Sequence, residues 1–177
     1  MKQCGIKEYK PNLTFNMSPY TNTILEKEII AKIQSFLDLR YKYSKEWNLL
    51  YSTFEHGFSY KTFISSFTNK NKPFILVIKT DNKYSSIIGV YFEENIHLDL
   101  KPYGKRKIIL FNAENILTLN QKDIKIICTE QYLAFGCKNG QYGILIQNTL
   151  RKGQESVFKE QCTSFNIKYM ELWNIIE

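Results

Sequence analysis

The chain is poor in the residues that metal and nucleophilic chemistry use. It holds two histidines, His56 and His97, and four cysteines, at positions 4, 128, 137 and 162. No two cysteines form a C-x-x-C pair, and neither histidine stands near one at zinc-ligand spacing, which argues against zinc-finger and thioredoxin-like sites. G-x-S-x-G, H-E-x-x-H and the phosphate-binding P-loop are all missing. The longest apolar runs, such as "FILVI" from Phe74, are far too short to span a bilayer. The first residues lack the apolar stretch of a secretory leader. These absences predict a soluble intracellular protein with reduced thiols, without membrane insertion, metal or cofactor. The N-x-S/T triplets at Asn12 and Asn16 are then coincidental. No Gly-, Ser- or Pro-rich stretch divides the chain and no repeat is visible, so its 177 residues fit one compact domain.

Aromatic residues, by contrast, make up 15% of the chain, enough for a substantial packed core. Lys and Arg number 24 against 17 Asp and Glu, a net charge of +7. That balance favours acidic partners without choosing among nucleic acid, anionic membrane and an acidic protein face.

Residues 1–22 mix Lys, Asn, Pro and Tyr without apolar periodicity and predict a loosely held arm before a domain at 23–177. Thr23 and Glu26 form T-x-x-E, a capping-box signature. Leu25, Ile29, Ile33 and Phe36 follow as one apolar face of a helix reaching about Leu39. "WNLLYS" reads as a strand. Gly57 then permits a tight turn, Ser59 suits an N-cap, and Phe58 and Phe63 are placed for a hydrophobic staple on a helix to about Phe67. From Pro73 the pattern turns to strands. "FILVIK" suits a central strand buried on both faces, and "SIIGVYF" follows with Gly89 marking a bulge or close approach. "KIILFN", "IKIIC", "YLAFG" and "QYGILIQ" follow, the last two joined by the hairpin signal Asn139-Gly140. In "KYMELWNI", Met170, Leu172 and Asn174 alternate with Tyr169, Glu171 and Trp173. About eight strands with helices mostly before them predict an α+β fold, two packed antiparallel sheets forming a β-sandwich flanked by a few helices.

Three places carry candidate chemistry. His56 sits beside Glu55, but adjacent side chains on an extended segment point apart, so His56 is assigned to the turn and no catalytic residue is expected. Cys137 begins the "CKNG" loop beside Lys138 and should be exposed, the best placed of the thiols for redox chemistry, while Cys128 ends an apolar strand as a small hydrophobe. "YGKRK" puts Lys105, Arg106 and Lys107 in a row, a positive knob suited to a protein or phosphate contact. A nucleic-acid platform would want exposed aromatics interleaved with cations, and the aromatics here lie at interior-looking positions, so no nucleic acid is expected.

Taken in order, three segments resemble the TLDc domain family of oxidation-resistance proteins and vacuolar ATPase regulators. "WNLLYSTFEHGFSYKTF" matches the family's Trp, Leu-Tyr-Ser strand and H-G-[FY]-S turn. "PFILVIKTDNKYSSIIGVY" matches its P-x-L-L-x-I-K strand, turn and glycine-ended strand. "LAFGCKNGQYGILIQNTLRKGQE", followed by "YMELWNI", matches the L-x-F-G-G hairpin, the basic-Gly loop and the closing L-E-x-W strand. The resemblance covers about residues 24–177. It marks Trp47, His56, Gly57, Phe58, Ser59, Gly89, Tyr103, Gly104, Phe135, Gly136, Gly140 and Trp173 as structural motif residues. One departure reverses a charge: where the family shows Tyr-Gly-x-Gly-Glu, this chain has Tyr103-Gly104-Lys105-Arg106-Lys107.

The resemblance implies a β-sandwich without a catalytic centre. It implies a regulator that binds the cytosolic V1 sector of the proton-pumping vacuolar ATPase, at its peripheral stalk and catalytic head, and promotes disassembly or inhibition, with a role in oxidative-stress resistance. It implies a protein that is monomeric alone and cytoplasmic, recruited to vacuolar or other acidic-organelle membranes through the ATPase, and it allows a mitochondrial pool. Lys105, Arg106, Lys107 and Lys138 are the expected partner contacts. The alternatives are a direct thiol antioxidant and a nucleic-acid or acidic-partner binding module.

Overall fold

A computed structural model describes residues 10–14, 23–68, 70, 73–82, 86–120, 122–123, 125–138, 141–156 and 162–176, with Cys137 and Lys138 by backbone alone. In chain order the elements are β1 (Asn12–Thr14), α1 (Lys27–Phe36), α2 (Leu39–Lys42), β2 (Glu46–Ser52), α3 (Thr53–His56) and α4 (Tyr60–Ser65). Ten strands follow: β3 (Phe74–Thr80), β4 (Ile87–Phe92), β5 (Asp99–Tyr103), β6 (Ile108–Asn112), β7 (Ile116–Thr118), β8 (Ile126–Cys128), β9 (Tyr132–Lys138), β10 (Gln141–Gln147), β11 (Lys152–Glu155) and β12 (Thr163–Ile176).

All four helices lie before β3, and the strands are antiparallel except where β1 runs parallel beside β2. Hydrogen bonding follows one open path, β5-β8-β9-β10-β11-β12-β3-β4-β6-β7, with β2 joined to β12. The α+β expectation stands in this coarser form, mostly antiparallel sheet with few helices, but the hydrogen bonds do not divide it into two sheets. Distant parts of the path nevertheless meet through side chains. Phe92 of β4 and Phe135 of β9 have ring centroids 4.9 Å apart. The 14-residue β12 is the spine, pairing with β11 through its first third and with β3 and β2 through the rest.

Period-two alternation builds two cores. On β3, Phe74, Leu76 and Ile78 enter a cluster with Met170, Leu172, Phe135, Ile144 and the Phe63 and Phe67 side chains. Ile75 and Val77 point the other way, with Trp173, Tyr91 and Phe111, beneath Ile30 and Ile33 of α1. Burial of one such aromatic or aliphatic side chain contributes about 1.5–3 kcal/mol. The predicted alternation of β12 is therefore observed.

The start of α1 corrects the capping-box expectation. Its N-cap is Glu26, with no side-chain cap bond, and the helix ends at Phe36 rather than Leu39. Thr23 instead donates from Oγ1 to Glu171 at 2.9 Å. The same oxygen accepts from Leu25 N at 3.0 Å, so Thr23 shapes the turn ahead of the helix rather than its first turn. The buried helix face is Ile30 and Ile33, with Ile29 and Phe36 only half-buried and Leu25 packed ahead of the helix. Within the expected N-terminal arm, residues 12–14 are tied to the sheet as β1.

Candidate docking surface and the His56 turn

The sequence singles out the His56 turn first. β2 ends at Ser52, whose Oγ accepts from Phe54 N at 3.2 Å and starts the four-residue α3. His56 closes that turn: its Nδ1 accepts from Ser52 N at 3.1 Å and lies 3.2 Å from Ser52 O. The imidazole stacks on Tyr51, centroids 5.2 Å apart and planes 17° from parallel. Tyr51 donates its hydroxyl to Gly57 O at 2.5 Å. Burial raises the Tyr51 phenol above its ordinary value, opposed by a hydrogen bond from the Ser59 backbone. Gly57 has φ 65 and ψ −162, a region that a residue with a Cβ rarely enters. Ser59 then caps α4 as predicted, accepting from Thr62 N at 3.3 Å. Phe63 meets Tyr51 and Phe67 edge-on and Tyr60 at a tilt, while the Phe58 ring carries the Arg151 guanidinium 4.1 Å from its centroid.

The other motif residues lie along the core. Trp47 and Trp173 are fully buried. The Trp173 indole donates to Glu171 at 3.0 Å, whereas the Trp47 N–H finds no acceptor among the described residues. Gly89 marks a close approach: a Cβ there would sit 2.1 Å from the Phe111 ring. Gly136 lies on β9, behind Phe135, beside Leu119. Gly140 and the Asn139 beside it are outside the described residues, although Lys138 and Gln141 pair across that position. The side chains of Cys137 and Lys138 are likewise outside them.

The excursion between β4 and β6 carries the basic motif. Tyr103 is its hinge pin: the phenol donates to His97 O at 2.9 Å, accepts from His97 N at 3.1 Å and stacks on the imidazole at 4.0 Å. Gly104 follows at φ 107. Glu94 Oε2 accepts from Lys105 N at 3.0 Å and Arg106 N at 3.3 Å. This leaves the Lys105 and Arg106 side chains exposed, with no ion pair to another described residue. Lys107 is different. Its Nζ lies 2.7 Å from Asp38, so the third cation of the expected knob is committed within the fold. A second pair joins the same two segments, Arg40 to Glu93 at 3.6 Å, and Tyr91 donates to the other Glu93 oxygen at 2.6 Å.

The sequence reading missed Asp38, Leu39, Arg40, Glu93 and Glu94. Leu39 is 75% exposed. The basic run "LRYK" was available as a signal, but nothing in the sequence places it beside residues 104–107.

The clefts lie elsewhere. A polar one of about 410 Å³ is bounded by Asp81, Asn112, Glu114 and Asn166, and an open groove of about 890 Å³ by Leu98, Leu100 and Tyr132. His56 bounds neither. Among the described residues, no group of three His, Cys, Asp or Glu is placed to hold a metal, and no helix is long and apolar enough to cross a membrane. Cys128 is buried, and burial raises its thiol above the ordinary value, partly offset by the Tyr60 hydroxyl 3.8 Å away. Cys162 is exposed.

Comparison with known proteins joins these landmarks. The profile of the TLDc domain matches residues 18–176. Oxidation resistance protein 1 of Kluyveromyces lactis is 24% identical over 190 residues, covering 87% of this chain and 76% of the relative. The Saccharomyces cerevisiae protein of that name is 23% identical, over 87% and 73%. The Xenopus tropicalis one is 25% identical over 94% of this chain but only 20% of its own length. With nearly its whole length matched by one profile, this chain belongs to the TLDc domain family.

Proposed function

We propose that this chain is a non-enzymatic regulator. It binds the cytosolic V1 sector of the vacuolar proton-pumping ATPase, promotes its disassembly or inhibition, and through that contributes to resistance against oxidative stress. Family membership and the shared name of its relatives support the stress role. The V1 partner rests on the resemblance described for the sequence. The observation that carries a docking role is the loop at 104–107, where backbone amides are held inward by Glu94 while Lys105 and Arg106 face solvent. This reading takes the curled sheet as a two-layer sandwich, stiff enough to act as a wedge. A wedge need only bind one conformation of the motor better than another, and the difference in affinity sets how far assembled and released populations shift.

The thiol-antioxidant alternative gains nothing from Cys128, whose buried, upward-shifted thiol is a poor nucleophile.

The test is a pull-down with the tagged chain from its own cell lysate, followed by titration of purified V1. Recovery of V1 subunits, and a change in ATP hydrolysis or in the V1-bound fraction, is expected. Absence of V1 from the eluate, with purified V1 also failing to bind, overturns the assignment.

A further inference from the structure

We infer that α2 and the 104–107 loop form one continuous docking surface, and that it takes an acidic protein segment carrying an apolar side chain, with Leu39 as the apolar contact. This goes beyond the V1 reading, since the chemistry is the same whichever assembly supplies the segment.

Two ion pairs stitch the segments together, Asp38 to Lys107 and Arg40 to Glu93. They flank Leu39 on both sides in sequence and hold α2 against the end of the loop at Lys107 and the start of the excursion at Glu93. The charges differ in how far they are engaged within the fold. Glu93 is buried and accepts from Tyr91, Asp38 is occupied by Lys107, and Glu94 is occupied by two loop amides. All three carboxylates have partners within the fold, the Asp38 side chain staying 46% exposed beside its lysine. The cations Lys105 and Arg106 reach solvent, and the Arg40 side chain stays 55% exposed despite its pair. A surplus of outward cations on the two joined segments, together with a leucine that is 75% exposed, complements an acidic segment with an apolar side chain. Phosphate backbones make no use of a leucine, and Tyr43 alone among the described residues of the two segments offers a well-exposed aromatic face where a base platform needs several, so the protein partner fits better than nucleic acid.

The experiment uses the full chain labelled with 15N, titrated with a 15-residue peptide alternating Glu and Leu. Controls are the same peptide with Lys for Glu, and a single-stranded oligonucleotide of similar charge. Amide shifts are expected at residues 38–43 and 104–107 with the acidic peptide alone. Lys105→Glu with Arg106→Glu should weaken binding about tenfold or more and flatten its salt dependence. Leu39→Asp should weaken it at low and high salt alike. Lys168→Glu, about 20 Å away at the far end of the β3 ladder, should leave it unchanged. Equal binding of the Lys peptide, tighter binding of the oligonucleotide, shifts centred elsewhere, or no binding overturns the inference. So does full affinity in the Lys105→Glu/Arg106→Glu protein, whose exposed substitutions leave the fold intact. If the peptide maps to this surface while purified V1 does not bind, the V1 assignment alone falls.

Discussion

Glu171 and Glu94 hold the chain by the same means in opposite surroundings. Glu171, on β12 and fully buried, accepts from Ile24 N at 2.9 Å, from Thr23 Oγ1 at 2.9 Å and from the Trp173 indole at 3.0 Å. It ties the segment leading into α1 to a strand 148 residues away. Glu94, near solvent, holds two amides of the loop at 104–107. Inside the core these bonds act in a low dielectric and no water stands ready to replace the carboxylate. At the surface water is an adequate substitute. The comparison teaches that a carboxylate can lock a fold in one place and merely shape a loop in another, depending on what surrounds it.

The largest expected effect lies at the buried end. Glu171→Ala strands three donors and should cost roughly 3–5 kcal/mol in chemical denaturation, the size associated with breaking a buried network. A loss near 1 kcal/mol would remove the contrast with Glu94. Glu171→Gln sharpens it through pH. Burial raises the folded pKa of Glu171, Glu55 adding to the rise and the three hydrogen bonds opposing it. The folded state therefore binds this proton more readily than the unfolded state, and stability from this group grows as pH falls from neutral toward 4.5, the ordinary glutamate value. Wild type should gain on the Gln protein across that range, measured as the difference in melting temperature. A difference independent of pH contradicts the raised value.

The His56 turn falls between the two extremes. Gly57→Ala forces a Cβ into a backbone conformation almost reserved for glycine, although no atom lies within 4 Å of the added carbon, and should cost about 1–3 kcal/mol. A neutral Tm would show that the turn relaxes freely. Smallest is the loop: Glu94→Gln should cost less than about 1 kcal/mol, because solvent replaces what is lost. A cost equal to that of Glu171→Ala would erase the comparison.

The sequence disclosed what burial writes into it. β3, β4, β9 and β10 carry apolar runs, and the two faces of β12 were legible because Met170 and Leu172 alternate with Trp173. β5 and β7 were not legible, since nearly all their residues are exposed and no hydrophobic alternation is required of them. The T-x-x-E signal at Thr23 misled because capping is a local rule, while Thr23 and the Ile24 amide are anchored on Glu171 from the other end of the chain and the helix starts three residues later. His56 was readable as part of a turn from Gly57 and Ser59, but α3 and the Ser52 cap before it were not. The candidate surface was half visible: Lys105 and Arg106 announced themselves, while the commitment of Lys107 to Asp38 depends on a contact across 69 residues.

The length of β12 has a mechanical consequence. Its ladders to β3 and β2 lie side by side over Glu171–Asn174. Force along that strand loads many bonds in shear at once, so they must fail together rather than unzip singly. A domain so braced resists extension along that strand.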